Sequence, residues 1–126
     1  MGEARRSAED YLETMLMLKE EHGYIRSVDV AHHLNVTKPS VSYATKRLGE
    51  EGYIERDENG LITLTASGME IATRIYDRHK LLTKLFIKLG VSPKVAHEDA
   101  CRIEHDISDE TIDALRKNLD NLKSVR

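Results

Sequence analysis

VTKPSVSYATKRLGEEGYIERDENGLITLT, residues 36 to 65, changes its hydrophobic period halfway, and that change decides the fold. In the first half Thr37 stands as an N-cap and Pro39 falls in the first turn, where its missing N–H does no harm. Val41, Ala44 and Leu48 follow at helical spacing, and Gly52 closes the segment. In the second half apolar and polar residues alternate on both sides of Asn59-Gly60, the strongest short-range hairpin signal. Tyr53 to Arg56 is expected to pair with Leu61 to Leu64.

Working outward, SAEDYLETMLMLKEEHG (7–23) reads as a first amphipathic helix, capped by Ser7, with Tyr11, Met15 and Leu18 on one stripe and Gly23 as its stop. SVDVAHHLN (27–35) reads as a short second helix opened by Ser27, with Val28, Ala31 and Leu34 inward. Three helices and then a hairpin is the order of a winged helix-turn-helix. Downstream, Ser67 and Glu70 match a capping box that launches a long helix to Gly90. Ser92-Pro93 starts another helix and Ser108 the last, whose Ile112, Leu115, Leu119 and Leu122 form one stripe. The fold expected is mainly α: a winged helix-turn-helix over residues 1–66 and an all-helical domain over 67–126, with a boundary near 65–68.

Composition agrees. The 126 residues are 40% hydrophobic and 33% charged, with 5% aromatic and no Trp, a globular balance that leans toward helix. One cysteine makes an internal disulfide impossible. The N-terminal MGEARRSAEDYLE lacks the apolar stretch of a signal peptide, and no apolar run approaches the roughly 18 residues of a membrane span. A cytoplasmic protein without membrane contact is expected.

The net charge of -3 gives no overall pull toward nucleic acid. KPSVSYATKR (38–47), however, carries Lys38, Lys46 and Arg47 with no acid among them. In a winged helix-turn-helix the third helix enters the major groove by its N-terminal residues. That places Thr37, Lys38, Pro39, Ser40, Ser42 and Tyr43 near base edges, and Lys46 and Arg47 where phosphates run. Arg56 on the wing, with Arg5 and Arg6 at the terminus, are further phosphate candidates. The competing interpretation is an ordinary solvated helix, or a winged module that binds protein.

HEDACRIEH (97–105) holds the lone Cys101. At 100° per residue, His97, Glu104, Cys101 and His105 share one arc of about 100°. Ala96, Ala100, Ile103 and Ile107 gather beside it. Sulfur, oxygen and nitrogen donors from successive turns suit a divalent transition metal. A small buried cysteine, i/i+4 surface pairs or a Cys–His catalytic pair would explain some of the same residues, though the last lacks oxyanion donors or a cleft, so no catalytic residue is assigned. Asp10 and Glu13 share a face of the first helix, where Asp10 could instead serve as the capping partner of Ser7. His79 sits midway along the fourth helix. His22, His32 and His33 read as surface residues.

HEDACRIEHDISDE resembles the metal-binding helix of the diphtheria-toxin-repressor family of metal-dependent transcriptional repressors. EDYLET (9–14) resembles the first-helix segment of its manganese transport regulator branch, and RHKLL (78–82) the fourth-helix histidine segment. The three motifs stand in order across residues 8 to 122. The resemblance implies a homodimer on a palindromic double-stranded operator, each subunit carrying a winged head and a dimerisation domain bridged by metal. It places ligands at Asp10, Glu13, His79, Cys101, Glu104 and His105, and matches His97 to an ancillary-site histidine of the iron branch. Thr83 stands where that branch has a glutamate, Asp10 where it has methionine, and Cys101 where the manganese branch has glutamate. The length resembles the shorter manganese regulators, without an SH3-like domain. Hard carboxylates suit Mn2+ and thiolate pulls toward Fe2+, so either is the expected activator, with Co2+, Ni2+ or Zn2+ as surrogates. A redox switch at Cys101 is the alternative reading of the second module.

Overall fold

The computed structural model describes residues 2–122; the outer ends of the two expected domains, residue 1 and residues 123–126, lie outside the described residues. The chain forms two compact units that divide between Arg74 and Ile75. The first contains α1 (Gly2–His22), β1 (Ile25–Arg26), α2 (Ser27–Leu34), α3 (Lys38–Glu50), β2 (Ile54–Arg56), β3 (Leu61–Leu64) and the start of α4 (Ala66–Lys88). The second contains the rest of α4, then α5 (Pro93–Ile103), α6 (Asp109–Asn118) and a 3-10 turn, Leu119–Asn121.

The deciding stretch folds as its pattern requires. Thr37 is the N-cap of α3, its hydroxyl accepting the Ser40 N–H at 3.2 Å, and Val41 and Leu48 are buried. β2 and β3 pair antiparallel with Arg56 opposite Ile62. In the turn between them Gly60 alone takes a positive φ, 82°, and the Asp57 carboxylate accepts the N–H groups of Asn59 and Leu61, each at 2.9 Å. Asp57, as much as Asn59-Gly60, therefore shapes the hairpin, as an Asx-type turn. The hairpin is also not alone. β1 adds to β3, giving a three-stranded sheet in the order β1-β3-β2.

Three expected helix starts need correction. α1 begins at Gly2, so Ser7 lies inside the helix and Asp10 is no capping partner. Glu3, Ala4, Arg5 and Arg6 are strong helix formers, and Glu3 complements the helix dipole in the first turn. Ser27 is the first residue of α2 rather than its cap; the cap position is Arg26, still extended because it belongs to β1. Val28 consequently points outward, and Val30 and Ala31 are the buried pair. The cap of α4 is Thr65, two residues before Ser67. The Thr65 hydroxyl accepts the Gly68 N–H, and the Thr65 and Ser67 hydroxyls both donate to the Gly52 carbonyl.

At Gly68 the start of α4 passes close to the Tyr53 backbone. A Cβ there would fall 2.0 Å from the Tyr53 carbonyl oxygen, which already accepts the Thr65 N–H at 3.0 Å. The buried apolar residues of the first unit, among them Leu12, Met15, Ile25, Val30, Val41, Ile54 and Ile62, come from every element before α4. In the second unit the buried apolar set is Ile75, Leu82, Ala96, Ala100, Ile112 and Leu119. Ser108 caps α6 as expected, accepting the Thr111 N–H at 3.1 Å.

α5 ends two residues short of His105, the last member of the expected ligand arc. Glu104 is its C-cap, still bonded from its N–H to the Ala100 carbonyl, and His105 lies in the turn beyond. Ile103, expected in the buried sector, is exposed, whereas Glu104 and His105 are buried. Leu122 likewise ends the last apolar stripe on an exposed note. No described helix is long and apolar enough to cross a membrane.

Candidate metal centre and nucleic-acid interface

Within the second unit, α4 and α5 bring His79, His97 and Cys101 together, with donor atoms that all lie within 4.8 Å of one another. His79 Nε2 is 2.9 Å from His97 Nδ1, and the Cys101 Sγ lies 3.7 Å from His79 Nδ1 and 3.9 Å from His97 Nε2. Ligand bonds of about 2.0–2.3 Å to a first-row divalent ion require donors spaced on this scale. Two nitrogens and a sulfur also form a chemically coherent donor set for such an ion, so the residues present fit it.

The cluster is graded from inside to outside. His79 is only 5% exposed, while His97 and Cys101 are open to solvent. Cys101 is thus not the small buried hydrophobe that a lone helical cysteine often is. His79 Nδ1 also lies 3.1 Å from Glu104 Oε2. With Nδ1–H donated to that carboxylate, Nε2 keeps its lone pair for a metal and the ring is held in orientation. Desolvation, reinforced by His79, lowers the pKa of His97 below its ordinary value despite the opposing pull of Glu98. Its ring therefore remains neutral and ligand-competent to a lower pH than a free histidine.

The turn after α5 supplies the other two expected donors of this unit. Glu104 is fully buried, with His105 Nε2 3.7 Å from its Oε1. In the first unit, Asp10 and Glu13 lie on α1, one half-buried and the other buried. Thr83 is also on α4, its buried hydroxyl having no hydrogen-bond partner among the described residues. Sequence reading passed over Arg78, whose buried guanidinium reaches the turn carrying Glu104. Its only sequence signal is adjacency to His79 in RHKLL.

The exposed face of α3 presents Lys38, Pro39, Ser40, Ser42, Tyr43, Lys46 and Arg47 together. They fall on one side because Val41, Thr45 and Leu48 occupy the buried side at helical spacing. Tyr43 is 65% exposed, with the Arg47 guanidinium 5.9 Å from its ring centroid. Arg47 also pairs with Glu51 at 3.8 Å, a solvent-screened contact that phosphate could replace. Thr37 is occupied as a cap, and its hydroxyl is also 2.9 Å from the Ser40 hydroxyl. Arg56 reaches from the wing to the Thr45 hydroxyl at 3.5 Å. Arg5 lies 3.6 Å from the buried Glu9 carboxylate, which Arg74 holds at 2.9 Å, and Arg6 is half-buried. Lys38, Tyr43 and Lys46 are thus open on this face, whereas the Thr37 hydroxyl is already engaged as a cap.

Comparison with known proteins agrees with both halves. Residues 4–60 match the iron dependent repressor N-terminal DNA binding domain, and residues 65–125 match the iron dependent repressor metal binding and dimerisation domain. The transcriptional regulator MntR of Escherichia coli O6:H1 is 39% identical over 112 residues, 89% of this chain and 72% of that protein. Among solved structures, T. acidophilum IdeR superposes with a TM-score of 0.80 at 29% identity, covering 89% of this chain and 53% of that one. A manganese-dependent transcriptional repressor in complex with manganese gives a TM-score of 0.82 at 27% identity, covering 90% and 52%. The chain thus spans about half the length of those two structures. With its two halves matched in order and a relative aligned along most of its length, the chain belongs to the diphtheria-toxin-repressor and manganese-transport-regulator family of metal-dependent transcriptional repressors.

Proposed function

We propose that the chain is a homodimeric repressor that binds a palindromic operator when loaded with Mn2+ or Fe2+, in the cytoplasm, and so controls genes of metal-ion homeostasis. The observation that carries this reading is the His79–His97–Cys101 donor cluster in a chain that also exposes the basic, acid-free stretch 38–47 of α3. Residues 1–66 act as the reading head and 67–126 as the dimerisation and metal-binding domain. The family motif adds Asp10, Glu13, Glu104 and His105 to the ligand set. Bound metal supplies a fixed divalent charge that neutralises carboxylate and thiolate and restrains their elements.

In such a dimer the two α3 helices must meet successive major grooves, about 34 Å apart. If the metal-free heads satisfy that spacing about 1% of the time, a shift to near-complete occupancy needs roughly 5 kcal/mol of preference. By linkage, DNA tightens metal binding by the same factor. The direct test is fluorescence anisotropy on a duplex selected from a random pool in Mn2+, repeated with Fe2+ and after chelation. Chelation is expected to weaken binding at least about tenfold; equal affinity with and without metal overturns the reading. On the same duplex, Lys46→Ala and Arg47→Ala should each reduce the slope of log affinity against log salt by about 1.8, because a homodimer loses the contact in both subunits. An unchanged slope in both variants removes α3 from the phosphate interface.

A further inference from the structure

Arg78 is one residue before His79 on α4 and just as deeply buried, at 4% exposed. A charge so placed is costly unless its donors are satisfied. Its Nη1 donates to the main-chain carbonyls of Glu104, at 3.1 Å, and Ile107, at 2.5 Å, and its Nη2 pairs with the Asp109 carboxylate. All three acceptors belong to the segment that leaves α5 and enters α6. The Glu104 carbonyl is among those left without an intrahelical partner at the end of α5, and Asp109 stands in the first turn of α6. One guanidinium therefore fixes where the first helix stops and where the second begins.

We propose that Arg78 is the positioning residue for the ligand turn, setting Glu104 and His105 by their backbone while His79 takes the Glu104 carboxylate. Two consecutive residues of α4 thus hold the same turn from two directions, one by main chain and one by side chain. The planar fork of arginine reaches three acceptors at once. The single ammonium of lysine lacks that fixed fork. Partners that orient ligands in this way typically carry 10- to 100-fold in metal affinity. The proposal rests on the reading of this unit as a metal centre.

The test is anaerobic titration of the full chain with Co2+, following the absorption of the bound ion, beside circular dichroism and thermal unfolding of the metal-free protein. Failure of the unsubstituted chain to bind Co2+, Mn2+ or Fe2+ would sink the metal-centre reading itself. Given that it binds, Arg78→Lys is expected to weaken Co2+ by at least about tenfold and to change the absorption spectrum, with the metal-free circular dichroism unchanged. Wild-type affinity and spectrum in Arg78→Lys overturn the proposal, even if the thermal midpoint falls. Should that variant not fold, Asp109→Asn answers the same question, because the Asp109 side chain is largely exposed. Loss of its charge should weaken Co2+ about three- to fivefold, and no change overturns the proposal.

Discussion

His79→Ala is expected to weaken divalent-metal binding by about 100- to 1,000-fold and to leave operator affinity insensitive to Mn2+ or Fe2+. Structural zinc sites with four ligands gain about 10–16 kcal/mol, so one ligand accounts for roughly 2.5–4 kcal/mol, the energy of that loss. His79 is also the buried member of the His79–His97–Cys101 cluster and lies 3.1 Å from Glu104, so its removal takes one ligand together with the contact that holds the carboxylate of another. His79→Gln separates the two, since an amide N–H can still donate to Glu104 without supplying an imidazole. Isothermal titration with Mn2+ should place His79→Gln beside His79→Ala, with a smaller loss of metal-free stability. Wild-type Mn2+ affinity in both variants would falsify the assignment of His79.

Gly68→Ala should cost about 3 kcal/mol, read as a fall in the urea midpoint. The added Cβ would lie 2.0 Å from the Tyr53 carbonyl oxygen and 2.9 Å from its carbon, both main-chain atoms that cannot swing aside. α4 has to draw back from Tyr53, straining the Thr65 N–H bond and the Thr65 and Ser67 bonds to Gly52. Gly49→Ala supplies the contrast. Its Cβ meets only the Ile54 oxygen at 3.9 Å, in the ordinary α-helical backbone of α3, where alanine gains roughly 0.5–1 kcal/mol over glycine. Similar midpoints for both variants would show that the close approach at Gly68 carries no weight.

What could be read beforehand follows from where the information lies. The change of period at residues 52–54, Thr37 with Pro39, and Ser108 are local signals, and local structure obeys them. β1 has two residues, too few to show alternation, and exists because β3 offers Ile62 and Leu61 as partners. Thr65 and Ser67 are both hydroxyls aimed at Gly52, so a capping box at Ser67 looked complete without knowledge of the Tyr53–Gly52 backbone. Helical spacing correctly placed His97 and Cys101 one turn apart but could not show that α5 stops at Ile103. No glycine or proline marks that stop, which Arg78 holds from another helix. Likewise, only the motif resemblance, not periodicity, linked His79 to α5.

The three-stranded sheet bears on how safely such a protein can be concentrated. Its outer strands are two and three residues long and carry Arg26 on one edge and Glu55 and Arg56 on the other. Short, charged edges offer a poor template for another chain's strand. Heads crowded side by side on neighbouring operators can thus keep their wings exposed without seeding strand-to-strand aggregation.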